Sequence, residues 1–361
     1  MSIAPIVDSK GLPVYVPGAS TVPGTNEVLK LSSNESALGP SPLAIAAYQS
    51  AVTTLRRYPD PECLDLKAGV AEASGLDVRK ILFGAGSESL VRLIARTFSG
   101  AGDEIVHSQY AFSLYRIAAH CAGAVPVAAP EENHTAQVDA ILSAVSKKTR
   151  IVFLANPNNP TGTILREREI RRLAEELPGD ILLVLDAAYE HYVQHGDYDA
   201  GRSLVDEGRD NVIVLGTFSK IFGLAGLRIG WAYTSEEMVD TLRKVSDVFA
   251  LSVPAQVCAL AALADKDHTA RELEHVCRSR AWMLKKLKGL GFRVTPSETN
   301  FLLIHCDGLQ ISGKDCVDAL RDRGILVRPV ANYGMPEAMR LTMGKENENR
   351  AVLAALAEIV N

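Results

Sequence analysis

Seven short apolar runs recur through the middle of the chain, and they set the fold class. They are KILFG, DEIVHS, AVPVAA, RIVFLA, DILLVLD, NVIVLG and RIGWAY, all between Lys80 and Tyr233. Runs that are apolar throughout, rather than on alternate positions, suit strands covered on both faces, and the stretches between them carry helical periodicity. Ile170, Leu173, Ala174 and Leu177 repeat at i, i+3, i+4, i+7, while Arg166, Glu167, Arg168, Arg171, Arg172, Glu175 and Glu176 take the other faces. That charge run reads as a solvated helix face, not a binding patch. The pattern predicts an α/β sheet. Beyond about residue 250 the helical segments lengthen, and VTPSETNFLLI and GILVRPV predict two more strands before a closing amphipathic helix around Ala351 to Val360. We therefore expect a large domain over 45–250 and a small domain from 251–361, with the Pro- and Gly-rich segment 1–44 packed across the small one. With 361 residues, 47% of them hydrophobic, the chain can fill two cores.

A formal net charge of -5 provides no broad positive field, so nucleic acid is not an expected partner. The N-terminus lacks an apolar core behind a basic flank, and no run approaches eighteen apolar residues, so neither export nor membrane insertion is expected. Six cysteines without a C-x-x-C pair, in a chain too large to need disulfide staples, fit a reducing cytoplasm. His191 and His195 are four apart but lack the following glutamate and third ligand of a metalloprotease site, so no metal is expected.

Chemistry-bearing residues gather after the strands, where open α/β sheets place their ligands. In FGAGSES, Gly84 and Gly86 close a strand and Ser87 can cap the next helix, exposing amides suited to phosphate, although an ordinary turn carries the same pattern. LANPNNPTGT, with two prolines and clustered asparagines, must project side chains from an irregular loop. Asp186 ends the apolar run DILLVLD and Tyr189 follows it. Two readings stand there, a buried carboxylate facing a cation or donors, or a cap on the next segment. Finally, TFSKIFGLAGLRIG gathers Thr217, Ser219, Lys220 and Arg228, which is a set suited to an aldehyde-bearing phosphate ester: an amine for a Schiff base, and hydroxyls with a guanidinium fork for phosphate.

The order of these motifs, from YVPG (Tyr15 to Gly18) through LSSNESALGPSP, RYPDP, GAGSES, ANPNNPTG, DAAYEHY, TFSKIFGLAGLRIG and GILVRPV to RLTMG, resembles the histidinol-phosphate aminotransferase family over nearly the whole chain. The resemblance implies fold type I: a mostly parallel seven-stranded sheet sandwiched by helices, plus a smaller α+β domain. It implies pyridoxal 5'-phosphate as cofactor. Lys220 would bind it as a Schiff base and shuttle the substrate proton. Asp186 would pair with the ring nitrogen, Tyr189 and Asn159 with the phenolic oxygen, and Phe112, where the family often has tyrosine, would stack on the ring. Ala85, Gly86, Ser87, Thr217, Ser219 and Arg228 would hold the phosphate, with Tyr58 arriving from the second subunit of a homodimer. Arg340, Arg328 and Tyr15 would grip substrate anions.

The implied reaction transfers the amino group of histidinol phosphate to 2-oxoglutarate, giving imidazole acetol phosphate and glutamate. Two departures stand out: Ala250 occupies the place of a common asparagine, and Ser36 and Ala37 stand where asparagine and proline are frequent. The first weakens the substrate assignment and leaves an aromatic aminotransferase of the same family as the rival, with a threonine-phosphate decarboxylase behind it. A cofactor-binding transcriptional regulator would need an appended DNA-binding module, for which the chain, starting almost directly at YVPG, leaves no room.

Overall fold

The structure, a computed structural model, describes residues 18–21 and 28–360, so Tyr15 lies outside the described residues. In chain order the strands that matter here are β1 (Leu29–Lys30), β2 (Ile81–Gly84), β3 (Glu104–Ser108), β4 (Val125–Ala129), β5 (Thr149–Ala155), β6 (Leu182–Asp186), β7 (Val212–Thr217), β8 (Gly230–Tyr233), β9 (Arg293–Val294), β10 (Phe301–His305), β11 (Ile325–Leu326), β12 (Arg328–Pro329) and β13 (Ala338–Thr342). All seven apolar runs are strands of one sheet, in the order β2-β8-β7-β6-β5-β3-β4. Every neighbouring pair is parallel except those of β8, which runs antiparallel to both β2 and β7.

The continuous apolarity has its reason in the packing. Successive side chains of a strand point to opposite faces. On β6, Leu183 and Leu185 enter one core while Leu182 and Val184 enter another on the far side, and β7 divides Val212 and Val214 from Ile213 and Leu215 in the same way. Helices cover both faces. One of them, Glu167–Glu176, buries Ile170, Leu173 and Ala174, as the periodicity predicts.

The smaller sheet has the order β9-β10-β13-β12 and is antiparallel throughout. GILVRPV is not one strand. It breaks at Val327 into β11, which pairs with β1, and β12, which pairs with β13. The RLTMG region also forms a strand, β13, that periodicity did not reveal. Within the described part of segment 1–44, Leu31 belongs to the core of the smaller sheet and β1 runs parallel to β11.

Leu251, Ala255, Cys258, Ala259 and Ala262 belong to a core of the large sheet, so its packing continues past residue 250. The 24-residue helix Lys266–Gly289 then spans two cores, with Val276 in one that packs on the large sheet and Met283 and Leu287 in that of the smaller sheet. Among the described residues no helix is long and apolar enough to cross a membrane.

Candidate active site

Register brings the motifs to one edge. Ala155 pairs with Asp186, Asp186 with Leu215, Thr217 with Gly230 and Gly230 with Gly84, so the four loops that follow in sequence leave the sheet side by side. They open on a cavity of about 310 Å³ lined by Ser87, Phe112, Asn159, Asp186, Tyr189, Thr217, Ser219, Lys220 and Arg228, with Arg328 and Arg340 from the small domain and Asn34 from the arm.

Asp186 ends β6 and is 7% exposed. Its Oδ2 accepts from the Tyr115 hydroxyl at 2.8 Å and its Oδ1 from the Ala188 amide at 3.1 Å. Burial raises its pKa against the opposing pull of these two donors and of Lys220. It is thus a buried carboxylate on the cavity wall that also caps the following segment through the Ala188 amide, so the two sequence readings describe one residue.

The Lys220 amine lies 5.3 Å from the centre of the Tyr189 ring and donates to the Asn34 carbonyl at 3.5 Å. Burial, then the positive charge of Arg340, bring its pKa down to about 8, against Glu35. The Tyr189 hydroxyl accepts from Asn34 Nδ2 at 2.8 Å, which leaves its own proton for a ligand oxygen, and burial pushes its pKa up to about 12. Asn159 Oδ1 accepts from Arg340 Nη1, leaving the amide NH₂ end for a ligand, while Arg340 Nη2 donates to the Ser32 carbonyl at 2.9 Å.

The part of the cavity around Ser87 and Arg228 suits a phosphate. Gly86 is the residue before the helix Ser87–Phe98, has φ +82°, and an added Cβ would lie 2.4 Å from Arg228 Nη2. A Cβ on Gly230 would lie 2.1 Å from the Ser87 amide nitrogen. Backbone and guanidinium can approach this closely only because both residues are glycine. Ser87 does not cap the helix as expected: it is the first helical residue, and the preceding position has no capping side chain. An uncapped N-terminus leaves amides and the positive dipole end for an anion. Of the three amides expected there, that of Gly86 donates instead to the Gly84 carbonyl at 2.7 Å. Thr217 is also partly engaged, its hydroxyl donating to Ile229 O and accepting from Ser219 N.

Tyr58, expected at the cofactor phosphate from a second subunit, and Ala250, noted as a departure, do not line this cavity. Tyr58 is 81% exposed and stacks on Phe249 at 4.5 Å, outside the cavity of its own chain. Ala250 lines a separate crevice with Cys63 and Val248. His191 and His195 share no helix, because Glu190–Tyr192 is a single 3-10 turn. Sequence reasoning missed Tyr115 and Asn34 as site residues. Tyr115 follows Phe112 by three positions and so falls on the same side of the helix entrance. Asn34 lies in a motif singled out already, but no local signal ties it to Tyr189, 155 positions away.

An amine of lowered pKa, a buried carboxylate, hydroxyl and amide donors and an anion cradle together meet each functional group of pyridoxal phosphate, and the residues present fit that cofactor. Fold and site define a fold-type I aminotransferase dependent on pyridoxal phosphate. Residues 26–356 match the family described as Aminotransferase class I and II. Histidinol-phosphate aminotransferases from Maricaulis maris and Dinoroseobacter shibae are 45% and 44% identical to this chain, covering 99% and 95% of it and 99% and 94% of their own lengths. The histidinol-phosphate aminotransferase of Sinorhizobium meliloti, solved in complex with pyridoxal-5'-phosphate, superposes with a TM-score of 0.89 at 28% identity, over 97% of this chain and 96% of that one. Aspartate aminotransferase from Thermus thermophilus shares the fold, with a TM-score of 0.82 at 20% identity over 92% of each chain. The chain belongs to the histidinol-phosphate aminotransferase family.

Proposed function

We propose that this enzyme transaminates histidinol phosphate with 2-oxoglutarate, yielding imidazole acetol phosphate and glutamate. The observation that carries this reading is the pair of buried arginines, Arg328 and Arg340, facing the same cavity as Lys220. One fork satisfies a carboxylate, whereas a phosphate has charge and acceptor oxygens for two. Relatives bearing that name at 44–45% identity support it.

Bound pyridoxal phosphate supplies an aldehyde that exchanges amines and a protonated ring that withdraws electrons from the substrate carbon. Asp186 would accept a hydrogen bond from the protonated ring nitrogen and keep the proton there, its carboxylate held in place by Tyr115 and the Ala188 amide. Lys220, freed by the incoming amine, would take the proton from the substrate carbon and return it elsewhere. With a pKa near 8, its amine is neutral in a useful fraction at neutral pH. Tyr189 and Asn159 would donate to the ring's phenolic oxygen, Phe112 would cover the ring face, and Ala85, Ser87, Thr217, Ser219 and Arg228 would hold the phosphate. Arg340, fixed by Asn159 and the Ser32 carbonyl, is set to orient the substrate anion.

The active form would be a homodimer. Leu43, Ile45, Tyr48, Val52 and Leu55, on the helix and turn that lead to Tyr58, are exposed, as is Phe249 stacked on it; such apolar exposure calls for a partner, and through it Tyr58 would reach the other subunit's cofactor phosphate.

The test is a comparison of half-reaction rates for histidinol phosphate, glutamate, phenylalanine and tyrosine, followed by cofactor absorbance. The reading requires histidinol phosphate and glutamate to react fastest. Faster reaction with phenylalanine would reassign the enzyme as an aromatic aminotransferase.

A further inference from the structure

Tyr115 is the largest fully buried side chain of the cavity wall, and its place is defined on three sides. Its ring stacks on Phe153 at 4.9 Å and 7°, meets Phe112 edge-on at 6.0 Å, and its hydroxyl donates to Asp186 Oδ2 at 2.8 Å. Its pKa is driven well above that of a free tyrosine, by burial first and then by the Asp186 charge, so the hydroxyl remains a donor. Among the described residues, the other donor to Asp186 is the Ala188 amide at 3.1 Å. Burial works against both, favouring a neutral carboxyl.

We propose that Tyr115 is a positioning residue that keeps Asp186 ionised, so that the proton shared between this carboxylate and the cofactor's ring nitrogen resides on the nitrogen. The inference rests on the role given to Asp186 above and on no particular substrate. Two arrangements of one proton compete: carboxylate with protonated nitrogen, and carboxyl with neutral nitrogen. A hydroxyl donor to Oδ2 stabilises only the first. Remove it and the proton moves from nitrogen to Asp186 with no other bond changed. The packing geometry adds a second effect. Because the ring that carries the hydroxyl is clamped by Phe153 and Phe112, the carboxylate is held in orientation as well as in charge.

The experiment uses the holoenzyme reconstituted with pyridoxal phosphate enriched in ¹⁵N at the ring, compared among wild type, Tyr115→Phe and Asp186→Asn. The phenylalanine keeps the stack on Phe153, and the melting temperature checks that it does. We expect the ¹⁵N resonance of Tyr115→Phe at neutral pH to move toward that of the neutral ring, the ratio of protonated to neutral nitrogen falling roughly ten- to a hundredfold, as for the loss of one charge-assisted hydrogen bond. Turnover should fall about tenfold with KM little changed. An unshifted resonance in Tyr115→Phe beside a shifted one in Asp186→Asn overturns the role of Tyr115 alone. Unshifted resonances in both variants overturn the role of Asp186 and this inference with it. A lowered melting temperature without any change at nitrogen would show Tyr115 to be a packing residue only.

Discussion

Arg328 and Arg340 are direct partners across an antiparallel ladder, and both are buried, at 5% and 6% exposure. Residues opposed in this way project to the same face of the sheet. Two guanidinium groups are therefore presented to the same cavity, where the proposed phosphate substrate would meet them, with Arg340 further fixed by its contacts to Asn159 and the Ser32 carbonyl. Arg340→Ala is expected to impair both half-reactions. Arg328→Ala should reduce kcat/KM for histidinol phosphate roughly ten- to a hundredfold while affecting glutamate much less. Steady-state kinetics with both substrates decide it, and equal losses would indicate a carboxylate site throughout.

Lys220 should behave as an unusually acidic amine when the cofactor is removed. Its rate of modification by an amine reagent, followed by mass spectrometry on the apoenzyme, should rise with a midpoint near pH 8. Arg340 is the chief charged cause of that depression, so in Arg340→Ala the midpoint should move upward. In the yellow holoenzyme, borohydride should fix the cofactor to Lys220, and a label on another lysine would displace the assignment.

Gly86→Ala would force a Cβ to within 2.4 Å of Arg228 Nη2 at a residue held at φ +82°. Backbone strain and displacement of the guanidinium act together. Reconstitution of the apoenzyme should show cofactor affinity lowered roughly ten- to a hundredfold. Unchanged affinity would mean that this turn does not hold the phosphate.

Mixed dimers test the exposed Tyr58. If each site takes Tyr58 from its neighbour, a dimer of one Tyr58→Phe chain and one Lys220→Ala chain has one site with both lesions and one intact site. The intact site should retain cofactor as the wild type does. If Tyr58 serves its own subunit, the only site able to bind covalently lacks the hydroxyl, and cofactor retention in the mixed dimer stays weak.

His305 supplies a pH dependence. Its ring stands 4.7 Å from that of His134, across the domain boundary, and bonds the Thr295 hydroxyl at 2.8 Å. Burial, then the charges of Arg293 and His134, hold its pKa down at about 4. The folded protein keeps this imidazole neutral while the unfolded chain takes up a proton below about pH 6.5, so stability is lost as the pH falls from 6.5 toward 4. His305→Gln should flatten that part of the melting-temperature profile by about a few degrees.

The sheet strands were legible one by one because burial on both faces leaves no room for polar residues, and that is a property of each segment alone. Asp186 and Lys220 were legible because charged groups at or just after the ends of apolar strands are costly unless used, and Arg228 because it stands in the same short motif as Lys220. Their order in the chain also marked the family. What local patterns did not carry was pairing. GILVRPV looks like a single strand, yet β1 claims its first half and β13 its second, and β13 went unnoticed because RLT shows no alternation that distinguishes it from a loop.

The sequence by itself determined the α/β class and the family, and it singled out Lys220 and the Gly84–Gly86 turn from the chemistry of a few adjacent residues, with the role of Asp186 coming from the resemblance. Only the tertiary structure decided that Tyr115 holds Asp186, that Asn34 holds Tyr189, and that Arg328 faces Arg340. The first two contacts join segments 71 and 155 positions apart, and the third depends on the register of two neighbouring strands, so strand register and the docking of distant segments, not any local preference, bring these residues together.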